Sequence, residues 1–146
     1  MAKRLEVYVE KGKDLYACTF DDVIEKCNWS GDGSTAEKAI RSLKECEKLM
    51  RETKAAEGVE LPAVEYTYRF DIGSFFSYHS YLNVSEVARR IGISPSLMRK
   101  YAAGICTPSE KRLREIEVGL KAIAAEIKDI RLWAFRQPQH GENRTS

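Results

Sequence analysis

Residues Asn83 to Gly104 read N-V-S-E-V-A-R-R-I-G-I-S-P-S-L-M-R-K-Y-A-A-G, the pattern of two short helices joined by a tight turn. Asn83 stands three residues before Glu86, a cap pair for the first helix. Val84, Val87, Ala88 and Ile91 fall on one face of it, with Ala88 small where two helices cross. Gly92 can take the positive φ that a sharp turn demands, and Ile93 plugs the core beneath. Ser94 caps the second helix, and Pro95 takes its first position, where the missing N–H costs nothing. Met98 and Tyr101 then face inward at i and i+3, which leaves Ser96, Arg99, Lys100 and Ala103 outward. This is the pattern of a helix-turn-helix, whose second helix enters the DNA major groove.

The charge agrees with that reading. Residues 85–114 hold seven basic side chains against Glu86 and Glu110, whereas the whole chain is only +2. Arg99 and Lys100 suit guanine edges or phosphates, and Ser96 can bond either. Ser94 and Ala103 border the same helix. Ser85, near the start of the first helix, is placed for a phosphate, and Arg89, Lys111 and Arg112 qualify by charge. These nine residues form the candidate DNA-binding set. A helical hairpin of purely structural purpose also needs a small residue and a turn glycine; the cationic outer face favours DNA.

Downstream, Thr107-Pro108-Ser109-Glu110 combines an N-cap, a proline at the first helical position and an acid at the third. The helix it opens shows Leu113, Ile116, Leu120, Ile123, Ile127 and Ile130 at alternating spacings of three and four. That stripe is read as packing within the helical region. As a coiled-coil seam it is short of the three or four heptads such an assignment needs. Residues 136–146 are polar and aperiodic, a disordered tail by expectation.

Upstream the period changes from 3.6 to two. Residues 72–80 still read as helix, with Phe75, Phe76, Tyr78 and Tyr81 as core aromatics. Before Asp71, Val64, Tyr66, Tyr68 and Phe70 alternate with Glu65, Thr67 and Arg69 as a strand. Leu5, Val7 and Val9 alternate likewise, and after Lys11 to Asp14 the run from Leu15 to Phe20 returns as the second arm of a hairpin. A third strand is expected around Cys27 to Ser30, ended by Gly31-Asp32-Gly33. Ser34-Thr35-Ala36-Glu37 has the form of a capping box, and a helix runs from there to about Glu57. Its inner stripe is Ala36, Ala39, Ile40, Leu43, Cys46 and Met50. The expected class is α+β: a small β-β-β-α-β domain over residues 1–71, then an all-α helix-turn-helix domain over 72–135.

Composition excludes several classes. With 146 residues, 43% apolar and 32% charged, the chain can bury a core and is not wholly disordered. No apolar run approaches membrane-spanning length, and the first residues lack a secretory signal, so the expected location is cytoplasmic with no membrane partner. Cys18, Cys27, Cys46 and Cys106 form no close pair and have no histidine nearby, so reduced thiols are expected and no metal site. No cofactor is expected. Catalysis is not expected either: strand Leu5–Val9 carries no aspartate, and no set of carboxylates converges as two-metal chemistry requires. Residues 1–71 carry 12 Lys+Arg against 15 Asp+Glu, a balance of −3, and residues 72–146 carry 12 against 7, a balance of +5. An acidic front and a basic back imply two jobs.

The β-β-β-α-β order with the junction "GDGSTAEKAIRSL", followed by "FDIGSFFSYHSYLNVSEVARRIGISPSLMRKYAAG", resembles the HicB antitoxin family. The match is to the subgroup with a C-terminal lambda-repressor-like helix-turn-helix domain, over roughly residues 4–132. The resemblance implies a truncated ribonuclease H-like front domain that blocks a small basic toxin of HicA type, an mRNA-cleaving ribonuclease. It also implies a back domain that represses the operon of both. Tyr8, Tyr16, Asp21, Asp22 and Trp29 are the candidate toxin contacts, chosen from exposure pattern and charge. A homodimer or higher homo-oligomer is expected, because a two-fold operator is matched by a two-fold protein. The alternative is a stand-alone transcriptional regulator whose front domain senses a small molecule through Tyr8, Tyr16, Phe20, Trp29, Tyr66 and Tyr68. Against it stands the usual use of strand aromatics as core.

Overall fold

The computed structural model describes residues 2–136. The elements run β1 (Lys3–Lys11), β2 (Tyr16–Thr19), β3 (Gly31–Gly33), α1 (Ala36–Ala56), β4 (Val64–Phe70), α2 (Ile72–Tyr78), α3 (Val84–Ile91), α4 (Pro95–Ala102) and α5 (Glu110–Lys128). The protein is α+β, with a mixed four-stranded sheet in the order β3-β2-β1-β4 and five helices among the described residues. β1 pairs antiparallel with β2 and parallel with β4, and β2 pairs antiparallel with β3. The expected front order of three strands, a helix and a strand is the order observed.

Alternation builds the core. Leu5, Val7 and Val9 point to one face of β1 and are fully buried, joined by Cys18 and Phe20 and by Ala36, Ala39, Ile40 and Leu43 of α1. Burying each Leu, Val, Ile or Phe side chain contributes about 1.5–3 kcal/mol. The thiol of Cys18 is pushed up to about 11 by burial, so it stays protonated and unreactive. Cys27 is buried too, Cys46 and Cys106 are half-buried, and all four thiols are free.

Three local expectations change. The third strand is not Cys27 to Ser30 but Gly31 to Gly33, the segment expected to end it. A Cβ on Gly31 would lie 2.3 Å from the Leu43 backbone nitrogen, so glycine is there because α1 crosses directly over β3. Around Cys27 the chain instead makes a tight turn. Ile24 and Cys27 exchange backbone hydrogen bonds of 2.9 and 2.8 Å, while Glu25 and Lys26 take φ of 48° and 65°. The cap of α1 is Thr35 rather than Ser34, its hydroxyl accepting from the Lys38 N–H at 3.1 Å. Finally, α5 starts at Glu110, two residues beyond the expected Pro108.

A part-buried polar chain ties α1 to β4. The Trp29 indole N–H donates to the Tyr66 hydroxyl at 2.9 Å, and that hydroxyl donates to Glu47 Oε1 at 2.6 Å. Arg51 Nε donates to Glu47 Oε2 at 2.7 Å, and its other nitrogens reach the carbonyls of Leu61 and Pro62 at 3.0 and 2.8 Å. Burial, first, and the bond to Glu47, second, hold the Tyr66 hydroxyl well above the ordinary phenol value; burial raises that of Tyr68 as well.

Compact packing divides the chain into Met1–Ser109 and Glu110–Ser146. The expected boundary at residue 71 falls on Asp71, whose carboxylate caps α2 by accepting from Ser74 N and also accepts from Lys11 N, both at 2.8 Å. α2 touches β1, β4, α1 and α4, so residues 72–109 belong to the unit that holds the sheet. In the second unit, Ile116 is buried, Leu120 and Ile123 are half-buried, and Leu113, Ile127 and Ile130 are exposed, as are Leu132, Trp133 and Phe135. Of the expected tail, Arg136 is exposed, and 137–146 lie outside the described residues.

Candidate nucleic-acid interface

α3 and α4 are held by short-range chemistry at both ends. Asn83 Oδ1 accepts from the Glu86 N–H at 3.0 Å, capping α3. Gly92 closes it with φ of 83°, a left-handed conformation that costs other residues about 1–2 kcal/mol. The Ile93 N–H then reaches back to the Ala88 carbonyl at 2.8 Å. Ser94 Oγ accepts from Leu97 N at 3.4 Å, with Pro95 first in α4. Ala88 and Met98 are completely buried, and Val87 and Ile93 nearly so. The turn of Gly92, Ile93 and Ser94 is therefore fixed by caps on either side and a core plug beneath it.

The opposite side of α4 is open. Ser94, Ser96, Arg99, Lys100 and Ala103 are all exposed, the last four as expected from the sequence. Side chains lean toward a helix N-terminus, and Arg99 does so across the turn: its Nη1 donates to Ser85 Oγ at 2.6 Å. The two were expected as separate phosphate and base contacts. Here the Ser85 hydroxyl anchors one corner of a guanidinium that has five N–H donors in a planar fork. Arg99 is thereby oriented at the exposed rim where α3 and α4 meet.

Arg89 is exposed on α3 and paired with Glu86 one turn back. Arg90, beside it and absent from the expected set, is exposed as well. Arg89, Arg90, Arg99 and Lys100 lie in the last turns of their helices, where cations also favour the helix dipole. Lys111 and Arg112 belong to the second unit, in the first turn of α5. Lys111 is exposed, and Arg112 Nη1 lies 3.6 Å from Glu115 Oε1.

The candidate toxin contacts do not converge on one surface. Tyr8 is half-buried on the outer face of the sheet, registered between Thr19 and Arg69. Tyr16 is on the other face, packed against the core. Asp21 and Asp22 are exposed after β2, with Asp22 Oδ2 3.5 Å from Lys3 Nζ. Trp29 is only 4% exposed, edge-on to Phe20 at 5.0 Å and hydrogen-bonded to Tyr66, so it is core and offers no surface. Residues missed by sequence reading near this loop include Asn28, whose Nδ2 donates to the carbonyls of Phe20 and Asp22, both at 2.9 Å. An Asn in a loop is the only signal that could have marked it.

Among the described residues no group of three or more His, Cys, Asp or Glu side chains could hold a metal ion, and no helix is long and apolar enough to cross a membrane. Compared with protein-family models, curated proteins and solved structures, the chain finds no match.

Proposed function

We propose that this chain is a DNA-binding repressor and antitoxin of the HicB kind. In this reading α3 and α4 act as a helix-turn-helix, with α4 entering the major groove. The single observation that carries it is the exposed row Ser96, Arg99, Lys100 and Ala103 on a doubly capped helix pair, with Arg99 oriented by Ser85. Phosphates accept from Ser85 and Arg89, and base edges are read by Ser96, Arg99 and Lys100. Two copies on a two-fold operator double the contact.

The antitoxin part of the proposal rests on the sequence resemblance, the order of the front elements and the −3 balance of residues 1–71. Its logic is occlusion: a ribonuclease covered by a protein surface cannot admit RNA. A small-molecule sensor is less well supported, since Phe20 and Trp29 are spent on the core and the Tyr66 hydroxyl is already paired. The test is co-expression of the full chain with the product of its neighbouring reading frame. Rescue of growth, co-purification with a small basic protein and repression of the shared promoter are expected. Growth arrest undiminished by the chain overturns the antitoxin part, and a promoter indifferent to it overturns the repressor part.

A further inference from the structure

Among the described residues, β4 ends the sheet with β1 as its one neighbour. Its sequence, Val64-Glu65-Tyr66-Thr67-Tyr68-Arg69-Phe70, is nearly its own complement when reversed. The ends are apolar, opposite charges stand one step in, and an aromatic flanks each side of a central threonine. The parallel ladder with β1 is bounded by Lys3 N–H to the Ala63 carbonyl at 2.8 Å and Asp71 N–H to the Val9 carbonyl at 3.1 Å. Bonding alternates along a parallel strand. Glu65, Thr67 and Arg69 therefore turn their backbone groups to β1, and Val64, Tyr66, Tyr68 and Phe70 turn theirs to the open edge. Such an edge is a template for another strand.

We propose that β4 is the surface through which two copies of this chain join, antiparallel about a two-fold axis at Thr67. In that register Val64 faces the second copy's Phe70, Tyr66 faces its Tyr68, and every outward amide meets an outward carbonyl. Glu65 faces the second copy's Arg69, and Thr67 faces Thr67. On the outer face Glu65 already lies 3.3 Å from Arg4, and Arg69 3.6 Å from Glu6, all four side chains at least half exposed. Joining the sheets continues these into a row of alternating sign: Arg4, Glu65, the second copy's Arg69, the second copy's Glu6. On the inner face Tyr66 and Tyr68, with ring centroids 6.2 Å apart, meet the same pair from the other copy.

The register is specific. A slip of two residues one way sets Glu65 against the second copy's Asp71, and the other way sets Arg69 against Ala63. A slip of one turns outward backbone groups against inward ones. The strand supplies its own charge complement in reverse order, which is why the occupant is a second copy rather than a foreign strand. The inference concerns β4 alone and does not depend on the DNA-binding reading.

Sedimentation velocity on the full-length chain tests it, with circular dichroism confirming that each variant is folded. The wild type is expected to be dimeric. Glu65→Arg and Arg69→Glu each set like charges across both symmetric contacts and are expected to weaken the dimer roughly tenfold or more. An equimolar mixture of the two variants restores it, because every facing pair in the mixed dimer is again opposite in sign. A monomeric wild type, single variants that dimerise as tightly as the wild type, or a mixture that stays dissociated each overturn the proposal. If a variant misfolds, amide exchange on the wild type decides: slow exchange at Tyr66 and Tyr68 supports the seam, and fast exchange overturns it.

Discussion

Replacing Tyr66 by Phe keeps the ring and deletes one hydroxyl, yet that hydroxyl both accepts from Trp29 and donates to Glu47. Glu47 retains Arg51 at 2.7 Å, so the main orphan is the indole N–H of a residue only 4% exposed. A buried donor left without a partner costs about 1–3 kcal/mol, and a hydrogen bond to a carboxylate adds a comparable amount that is not additive with it. The expected loss at pH 7 is about 2–3 kcal/mol, or about 4 °C in Tm for each kcal/mol. The alkaline range gives a second reading. The hydroxyl's folded value lies above its ordinary value of 10.0, so its contribution is complete below pH 10 and is lost as pH climbs toward the folded value. There the unfolded chain ionises Tyr66 while the folded one holds its proton. The gap between wild type and Tyr66→Phe therefore narrows above pH 10, by at most about 1.4 kcal/mol per pH unit and less where solvent screens the site. Urea titrations of both proteins at pH 7, 10 and 11 measure it. A gap under about 0.5 kcal/mol at pH 7, or one unchanged at pH 11, refutes the network as a source of stability.

Other outcomes follow from the same contacts. Gly31→Ala drives a methyl into the backbone of α1 at Leu43 and should cost about 3 kcal/mol or more by thermal unfolding. Glu25→Asn with Lys26→Gly relieves two left-handed residues between Ile24 and Cys27 and should raise stability by about 1 kcal/mol, read from the urea midpoint. Ser85→Ala frees the Arg99 guanidinium and should weaken DNA binding about five- to tenfold in fluorescence anisotropy, with Tm unchanged. Binding should also fall linearly on a log–log plot against salt, and removing Arg99 and Lys100 should lower that slope by up to about 2.

What could be read in the sequence was what short-range chemistry decides. The caps Asn83 and Ser94, the left-handed Gly92 and the alternation of β1 and β4 depend on neighbours a few residues away, and all were legible. β3 was not, because Gly31 is small for the sake of α1, a tertiary approach that looks locally like a turn. The tight turn at Glu25-Lys26 gave no signal, since its residues are not the Asn-Gly that such φ values favour; burial of Ile24 and Cys27 imposes it. Trp29 was mistaken for surface because an aromatic in an acidic loop resembles a contact residue. Its partner Tyr66 lies 37 positions away. The exposed face of α4 was read correctly, but the bond that organises it, Arg99 to Ser85 across the turn, needed coordinates.

The proposed function requires the cationic side of α4 to read duplex sequence. The decisive measurement is selection of bound duplexes from a random DNA pool by this 146-residue chain, run beside an Arg99→Ala, Lys100→Ala double variant. The wild type is expected to enrich one two-fold-symmetric sequence while the folded variant enriches none. Recovery of no preferred sequence by the wild type, or of the same sequence by the variant, would contradict it.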